Sequence, residues 1–118
     1  MKAIKIDVIK REVYEIDIPK GLQGLYSALE CDMVEIVRIN DTEDLYVDEE
    51  GLLRHDPIGA FRFKGYDQVL SGHGLVLGND GEGDSVDTTL TVEYIRDQVR
   101  FKEVQDIPEP FMHFFPIK

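Results

Sequence analysis

The sequence predicts an α+β fold with a small mixed or antiparallel sheet, an N-terminal hairpin and two short helices. Apolar residues alternate with polar ones over 2–9 and again over 12–18, the period of half-buried strands. A helical apolar spacing follows over 20–30, and a second helix begins after Thr91. At 118 residues and 42% apolar content the chain suits one domain, which we expect to span 1–106.

The first two strands are expected to pair, because only the short polar connection Lys10-Arg11 separates them. Pro19 ends the second strand and suits the first turn of a helix. The first helix presents an apolar stripe made of Leu22, Leu25, Tyr26 and Leu29.

Further strands follow in the middle of the chain. Residues 33–39 are apolar on both faces, which is typical of a central strand, and Asp44–Val47 is expected to return as its partner. Residues 60–63 form a candidate short strand, and the run between Gly74 and Gly78 predicts a compact buried one.

The clearest helix signal lies near the C-terminal end. Thr91 can cap a helix that runs from Val92 to about Phe101, and Leu90 and Ile95 are spaced as a hydrophobic staple. The last segment, 107–118, contains three prolines and cannot be regular helix. We expect this apolar tail to pack on the domain or on a partner through Phe111, Met112, Phe114 and Phe115.

Composition excludes several classes of function. The chain carries 24 acidic and 13 basic side chains, a formal net charge of −11, which argues against direct binding to nucleic acid or to anionic membranes. No apolar run approaches the roughly 18 residues that span a bilayer. The lone Cys31 cannot form an internal disulfide, so the fold does not need an oxidising compartment, and we expect a cytoplasmic protein.

The excess charge is local. Residues 41–59 hold seven acids and one base, and residues 80–87 hold four acids and no base. Clustered carboxylates are either a solvated turn or an interaction surface for a basic partner. The predicted acidic surface consists of Asp41, Glu43, Asp44, Asp48, Glu49, Glu50, Asp80, Glu82, Asp84 and Asp87.

No metal or cofactor is expected. The acidic loop over 80–91 offers oxygen ligands, but the EF-hand template fails because Ser85 stands at its sixth position and Thr91 at its twelfth. The candidate transition-metal ligands lack paired spacing; they are Cys31, His55, His73 and His113. The dinucleotide fingerprint fails too, since Leu77 stands where the third glycine belongs.

An enzyme is not expected, because no serine or cysteine stands in a recognised nucleophile motif. Two alternatives stay open. One is a small-molecule binder or unrecognised enzyme that uses His55, His73 and the 71–83 region. The other is a structural dimerisation module, hence a homo-oligomer, whose tail packs across subunits.

The order of motifs resembles a family of small acidic proteins known only as a domain of unknown function and common in phages, plasmids and bacterial mobile elements. The resemblance rests on the N-terminal strand pair, the 33–39 strand, the segment Val47–Leu53, the run Gly72–Gly78, the acidic Asp80-Gly-Glu loop and the helix capped by Thr91. It implies no catalytic residues. Its mobile-element setting implies that the cytoplasm is that of a bacterium or a phage-infected host. It also implies an accessory role against host defence, where acidic DNA mimics are frequent.

These expectations combine into one hypothesis: a non-catalytic accessory protein that binds another protein through its acidic surface. The partner would itself be nucleic-acid-binding if the carboxylates imitate the phosphates of a duplex.

Overall fold

The computed structural model describes residues 1–51 and 57–103, and it confirms an α+β fold with an N-terminal hairpin and two short helices. In chain order the elements are β1 (Lys2–Asp7), β2 (Glu12–Asp17), α1 (Leu22–Leu29), β3 (Val34–Asn40), β4 (Glu43–Asp48), β5 (Ala60–Phe63), β6 (Leu70–Ser71), β7 (Gly74–Asn79), β8 (Ser85–Val86), α2 (Val92–Gln98) and β9 (Val99–Lys102).

The strands form two antiparallel sheets. The central sheet has the order β2-β1-β7-β4-β3, and the short β8 pairs with the end of β7. The small sheet has the order β6-β5-β9. β1, β7 and β4 each pair with a strand on both sides, so their residues lie in the middle of the central sheet.

Each face of the central sheet has its own core. One face packs against the small sheet and α2, where Phe61 and Ile95 are fully buried with Leu45 and Val76. The other face packs against α1, whose Leu25 and Leu29 cover Ala3, Leu75 and Leu77. Because side chains alternate between the two faces of a strand, β1, β4 and β7 each contribute residues to both apolar cores.

The central-strand prediction for 33–39 was wrong, because β3 lies at an edge of the sheet and β4 is central. All six residues of β4 are buried since β3 and β7 pair with it on both sides. Ile36 of β3 is 53% exposed. An apolar strand at an edge is equally compatible with the pattern that was read as central.

The second helix is shorter than predicted. Its Thr91 cap is confirmed, since the Thr91 hydroxyl accepts a hydrogen bond from the Tyr94 N–H at 3.1 Å. The helix ends at Gln98, however, and the next four residues form β9. Pairing with β5, which aligns Phe61 with Phe101, outweighs the weak helix propensity of these residues.

Candidate functional site

Three of the ten carboxylates predicted to be on the acidic surface are in the interior. Glu43, Asp44 and Asp48 belong to β4 and are between 1% and 8% exposed. The prediction failed for these three residues because a central strand buries both of its faces, whatever the local charge of the sequence. They cannot contact a partner directly.

Glu43 holds the chain that leads into α2. Its carboxylate accepts hydrogen bonds from the Thr88 hydroxyl at 2.5 Å, the Thr89 hydroxyl at 2.8 Å and the Thr89 N–H at 3.1 Å. Three donors compensate the burial of this charge, which would otherwise be costly. Glu43 therefore has a structural role.

The other two buried carboxylates also have partners. Asp44 accepts a hydrogen bond from the Asn79 amide at 3.1 Å and lies 3.5 Å from the Arg38 guanidinium. Asp48 accepts one from the Glu50 N–H at 2.9 Å, in the turn that ends β4. These contacts fix the two ends of β4.

The seven remaining carboxylates divide between the two ends of the central sheet. The Asn79 N–H donates to the Thr42 carbonyl at 2.9 Å, so the turn that contains Asp41 lies beside the start of the 80–84 loop. Glu49 and Glu50 follow the opposite end of β4.

β1 and β2 add carboxylates to the first of these ends. Lys2 pairs with Asp17, and the Lys2 N–H donates to Asp87 at 3.0 Å. We call this exposed group the acidic end; its members are Asp17, Asp41, Asp80, Glu82, Asp84 and Asp87. The sequence reading missed Asp17, which could have been found by aligning the two strands of the predicted hairpin.

The 80–84 loop is held in one shape by its own hydrogen bonds. One oxygen of Asp80 accepts from the Glu82 N–H at 2.7 Å and from the Asp84 N–H at 3.2 Å. The Asn79 side chain accepts from the Gly81 N–H at 3.1 Å. These Asx-type bonds present Glu82 and Asp84 to solvent from an ordered backbone.

A cavity of about 450 Å³ lies beside the acidic end, between the start of α1 and the 80–86 loop. Its apolar lining includes Leu22, Leu25 and Val86, and its charged lining includes Lys20 and Asp84. The volume lies within the range of small-molecule pockets, ~300–1,000 Å³.

His73, one of the two histidines that the small-molecule alternative uses, lies in the interior of the protein. His73 is 1% exposed, and it does not line this cavity. Its Nδ1 is 3.2 Å from the Val8 N–H, and its Nε2 is 3.2 Å from a Glu30 oxygen. His55 lies outside the described residues. The structure therefore places His73 in a buried polar cluster at the sheet end opposite the acidic end.

Asp7 and Tyr14 complete that cluster. Asp7 accepts hydrogen bonds from the Ile9 and Lys10 N–H groups, both at 3.0 Å, and from the Tyr14 hydroxyl at 2.7 Å. Burial would raise the pKa of the Asp7 carboxyl, but these donors and the nearby His73 lower it overall. Burial, the bond to Asp7 and the surrounding carboxylates raise the pKa of Tyr14 to about 12.

Within residues 1–51 and 57–103, no group of three or more histidine, cysteine, aspartate or glutamate side chains is arranged to hold a metal ion. Nor does this part of the chain include a helix with the length and hydrophobicity to span a bilayer. The predicted interface residues Phe111, Met112, Phe114 and Phe115 fall outside the described residues, as does the tail 107–118.

The fold and these contacts define a small acidic α+β domain with an ordered carboxylate-rich end. A family model described as Domain of unknown function (DUF3846) matches residues 1–100, and the chain belongs to this family. It is also 32% identical over 91 residues to the uncharacterized protein y4iR of Sinorhizobium fredii (strain NBRC 101917 / NGR234). The match covers 76% of this chain and 54% of that relative, so the chain spans about half the relative's length. No solved structure matches it.

Proposed function

We propose that this protein is a non-catalytic accessory protein of a phage or mobile element, and that it binds a basic protein surface through its acidic end in the bacterial cytoplasm. The observation that carries the proposal is the contact of Asn79 with Thr42. It joins Asp41 to the loop that contains Asp80, Glu82 and Asp84, although some 40 residues separate the two segments.

Electrostatics supports a protein partner with a basic groove. Six exposed carboxylates at one end outnumber the neighbouring cations, which are Lys2, Lys20, Arg38 and the amino group of Met1. Such an excess attracts a positive surface, accelerates association and excludes negatively charged competitors. Screening over about 8 Å at physiological salt makes this attraction sensitive to ionic strength.

A non-catalytic role agrees with how the imidazole of His73 is used. Both of its ring nitrogens have partners within the fold, and its side chain is almost wholly buried. A general base has to reach the proton that it removes from a substrate. His73 supports the fold and has no open nitrogen to offer a substrate.

A matched pair of variants tests the acidic end. The triple variant Asp41→Asn/Glu82→Gln/Asp84→Asn removes three charges there and leaves Asp80 to hold the loop. The control Glu35→Gln/Glu49→Gln/Glu50→Gln removes three exposed charges at the other end of the sheet. A partner captured from bacterial lysate, identified and purified, should bind the wild type and the control but lose at least tenfold in affinity for the triple variant.

Two further measurements, of salt dependence and of competition by DNA, test the electrostatic mechanism and the DNA-mimic version of this proposal. Binding that does not change between low and high salt contradicts the electrostatic mechanism. If the partner also binds DNA and an oligonucleotide displaces this protein from it, the protein acts as a DNA mimic directed against a nucleic-acid-binding partner. A partner that binds both proteins at once contradicts mimicry.

The cavity beside the acidic end favours a second candidate function, the binding of a small molecule. Its apolar lining of Leu22, Leu25 and Val86 could hold an apolar group, and its charged lining of Lys20 and Asp84 could orient a polar one. Native mass spectrometry of protein purified from its host should detect the retained molecule. Val86→Trp, which fills the cavity, should abolish that signal, and a signal that persists contradicts this function.

A further inference from the structure

One face of the small sheet carries a group of basic side chains, of which Lys64 and Arg100 are exposed and Arg62 and Lys102 are half-buried. In β5 and β9, Phe61, Phe63 and Phe101 face the first core, so Arg62, Arg100 and Lys102 alternate to the opposite face. Lys64 follows β5, and its N–H donates to the Gln98 carbonyl at 2.8 Å, which extends the ladder by one step. We call Arg62, Lys64, Arg100 and Lys102 the basic face.

This arrangement is unfavourable for the isolated protein. Arg62 and Arg100 are directly opposite each other across the two strands, and like charges in such pairs destabilise a sheet. None of the four cations forms a salt bridge with residues 1–51 or 57–103. Nearby Arg11, by contrast, is paired with Glu103 at 2.9 Å. A chain with 24 acidic side chains thus leaves four clustered cations without counter-charges in its described part.

We propose that the basic face is a binding site for a compact phosphorylated anion, such as a nucleoside triphosphate or inorganic triphosphate. Directly opposed side chains have Cβ atoms about 5 Å apart, and alternate residues along a strand are about 6.7 Å apart. Arg62 and Arg100 lie at the centre of this row, with Lys64 on one side and Lys102 on the other, so a triphosphate held by the two arginines lies between the two flexible lysine side chains. Two arginines can each donate two parallel hydrogen bonds to phosphate oxygens.

Charge and side-chain type favour a compact anion over an extended nucleic acid. A long polyanion would pass beyond the basic face and meet the carboxylates that give this protein a net charge of −11, whereas a triphosphate stays within about one Debye length of the four cations. Strand aromatics commonly stack on the bases of single-stranded nucleic acid. Here Phe61, Phe63 and Phe101 face the core and cannot stack on bases.

The first experiment measures binding of inorganic triphosphate by titration calorimetry at low ionic strength. Arg100→Gln/Lys102→Gln should weaken binding at least tenfold, because it removes two of the four phosphate contacts. The matched control Lys2→Gln/Lys10→Gln removes two exposed cations elsewhere and should stay within about twofold of the wild type. Absence of wild-type binding at millimolar triphosphate, or equal loss in both variants, overturns the proposal.

The second experiment uses thermal stability, which does not depend on detecting heat of binding. Without ligand, Arg100→Gln should raise the melting temperature, because it relieves the repulsion from Arg62. Triphosphate should raise the melting temperature of the wild type and have little effect on Arg100→Gln/Lys102→Gln. A single-stranded oligonucleotide that stabilises the wild type more than triphosphate does would show that the site takes extended chains, and would overturn the compact-anion assignment.

Discussion

The Nδ1 atom of His73 accepts a hydrogen bond from the N–H group of Val8 at 3.2 Å. This bond assigns the tautomer: Nδ1 carries no proton, and Nε2–H donates to the Glu30 carboxylate at 3.2 Å. Protonation of His73 would place an N–H group on Nδ1, facing the N–H group of Val8, and two donors cannot form a hydrogen bond with each other. The folded protein therefore holds His73 in its neutral form, with Asp7 3.7 Å from Nδ1 but outside hydrogen-bond distance.

The first prediction is that His73 makes stability depend on pH. Burial and the positive charge of Lys5 lower its pKa, and they outweigh the opposing effects of Asp7 and Glu30. The unfolded chain then binds a proton at a pH where the folded protein does not, so the free energy of unfolding falls as the pH drops below about 6.5. Urea unfolding at about pH 8 and about pH 5 measures the difference.

His73→Asn provides the comparison, because its amide oxygen can still accept from the Val8 N–H while no group titrates there. The variant should be less stable than the wild type at about pH 8, and the gap between the two should narrow at about pH 5. A constant gap would mean that His73 titrates normally. The ordinary pKa of Asp7 is 3.8, and the folded protein lowers it, so this carboxyl loses its stabilising effect only at lower pH.

The second prediction concerns Tyr14, which should remain protonated until the pH reaches about 12. Burial is the largest cause, followed by its hydrogen bond to Asp7 and the negative charges nearby. The difference between the tyrosinate absorbance of the wild type and of Tyr14→Phe isolates this residue from the other four tyrosines. Asp7→Asn should lower the pKa of Tyr14, and a transition unchanged by this substitution would contradict the assigned contact.

Local patterns predicted the elements whose causes are local. The alternation in 2–9 and 12–18 identified the hairpin, the run from Gly74 to Gly78 identified β7 to within one residue of its end at Asn79, and Thr91 marked the start of α2. Each of these signals acts through neighbours within a few residues, by side-chain period or capping. The length of α2 was predicted less well, because β9 exists only through its pairing with β5.

The distribution of charge over the surface could not be predicted without the tertiary structure. Glu43 looked like part of an exposed run, but its donors Thr88 and Thr89 lie 45 and 46 residues away. Arg62 and Arg100 are far apart in the sequence, and only the register of β5 with β9 brings them opposite each other. Summing charge along the chain gives the density of charged residues in the sequence, whereas burial and strand register decide which charges share a surface.

The third prediction is that Glu43→Gln destabilises the fold by about 1–3 kcal/mol, because an amide can accept only part of the three hydrogen bonds that the buried carboxylate accepts. Chemical denaturation measures the loss. Thr88→Val, which removes one donor, should cost less in the Glu43→Gln background than in the wild type. Glu50→Gln, at an exposed position, should change stability by no more than about 0.5 kcal/mol. A Glu43→Gln cost as small as that would show that the contacts with Thr88 and Thr89 do not stabilise the fold.

The fourth prediction concerns the close packing of Gly74 at the start of β7. A Cβ atom added there would lie 2.9 Å from Phe61 Cζ, 3.0 Å from Leu45 Cδ1 and 3.2 Å from Ile6 Cδ1. All three side chains are fully buried and cannot move far in a close-packed core, so Gly74→Ala should cost about 1–3 kcal/mol in the free energy of unfolding.

A double-mutant cycle shows whether crowding is the cause. Phe61→Leu makes room beside position 74, and on its own it should also destabilise the fold because it leaves a cavity. If the methyl group of Gly74→Ala collides with the Phe61 ring, the double variant should be more stable than the sum of the two single losses implies. Strict additivity would instead locate the cost of Gly74→Ala in the backbone or in its contacts with Leu45 and Ile6.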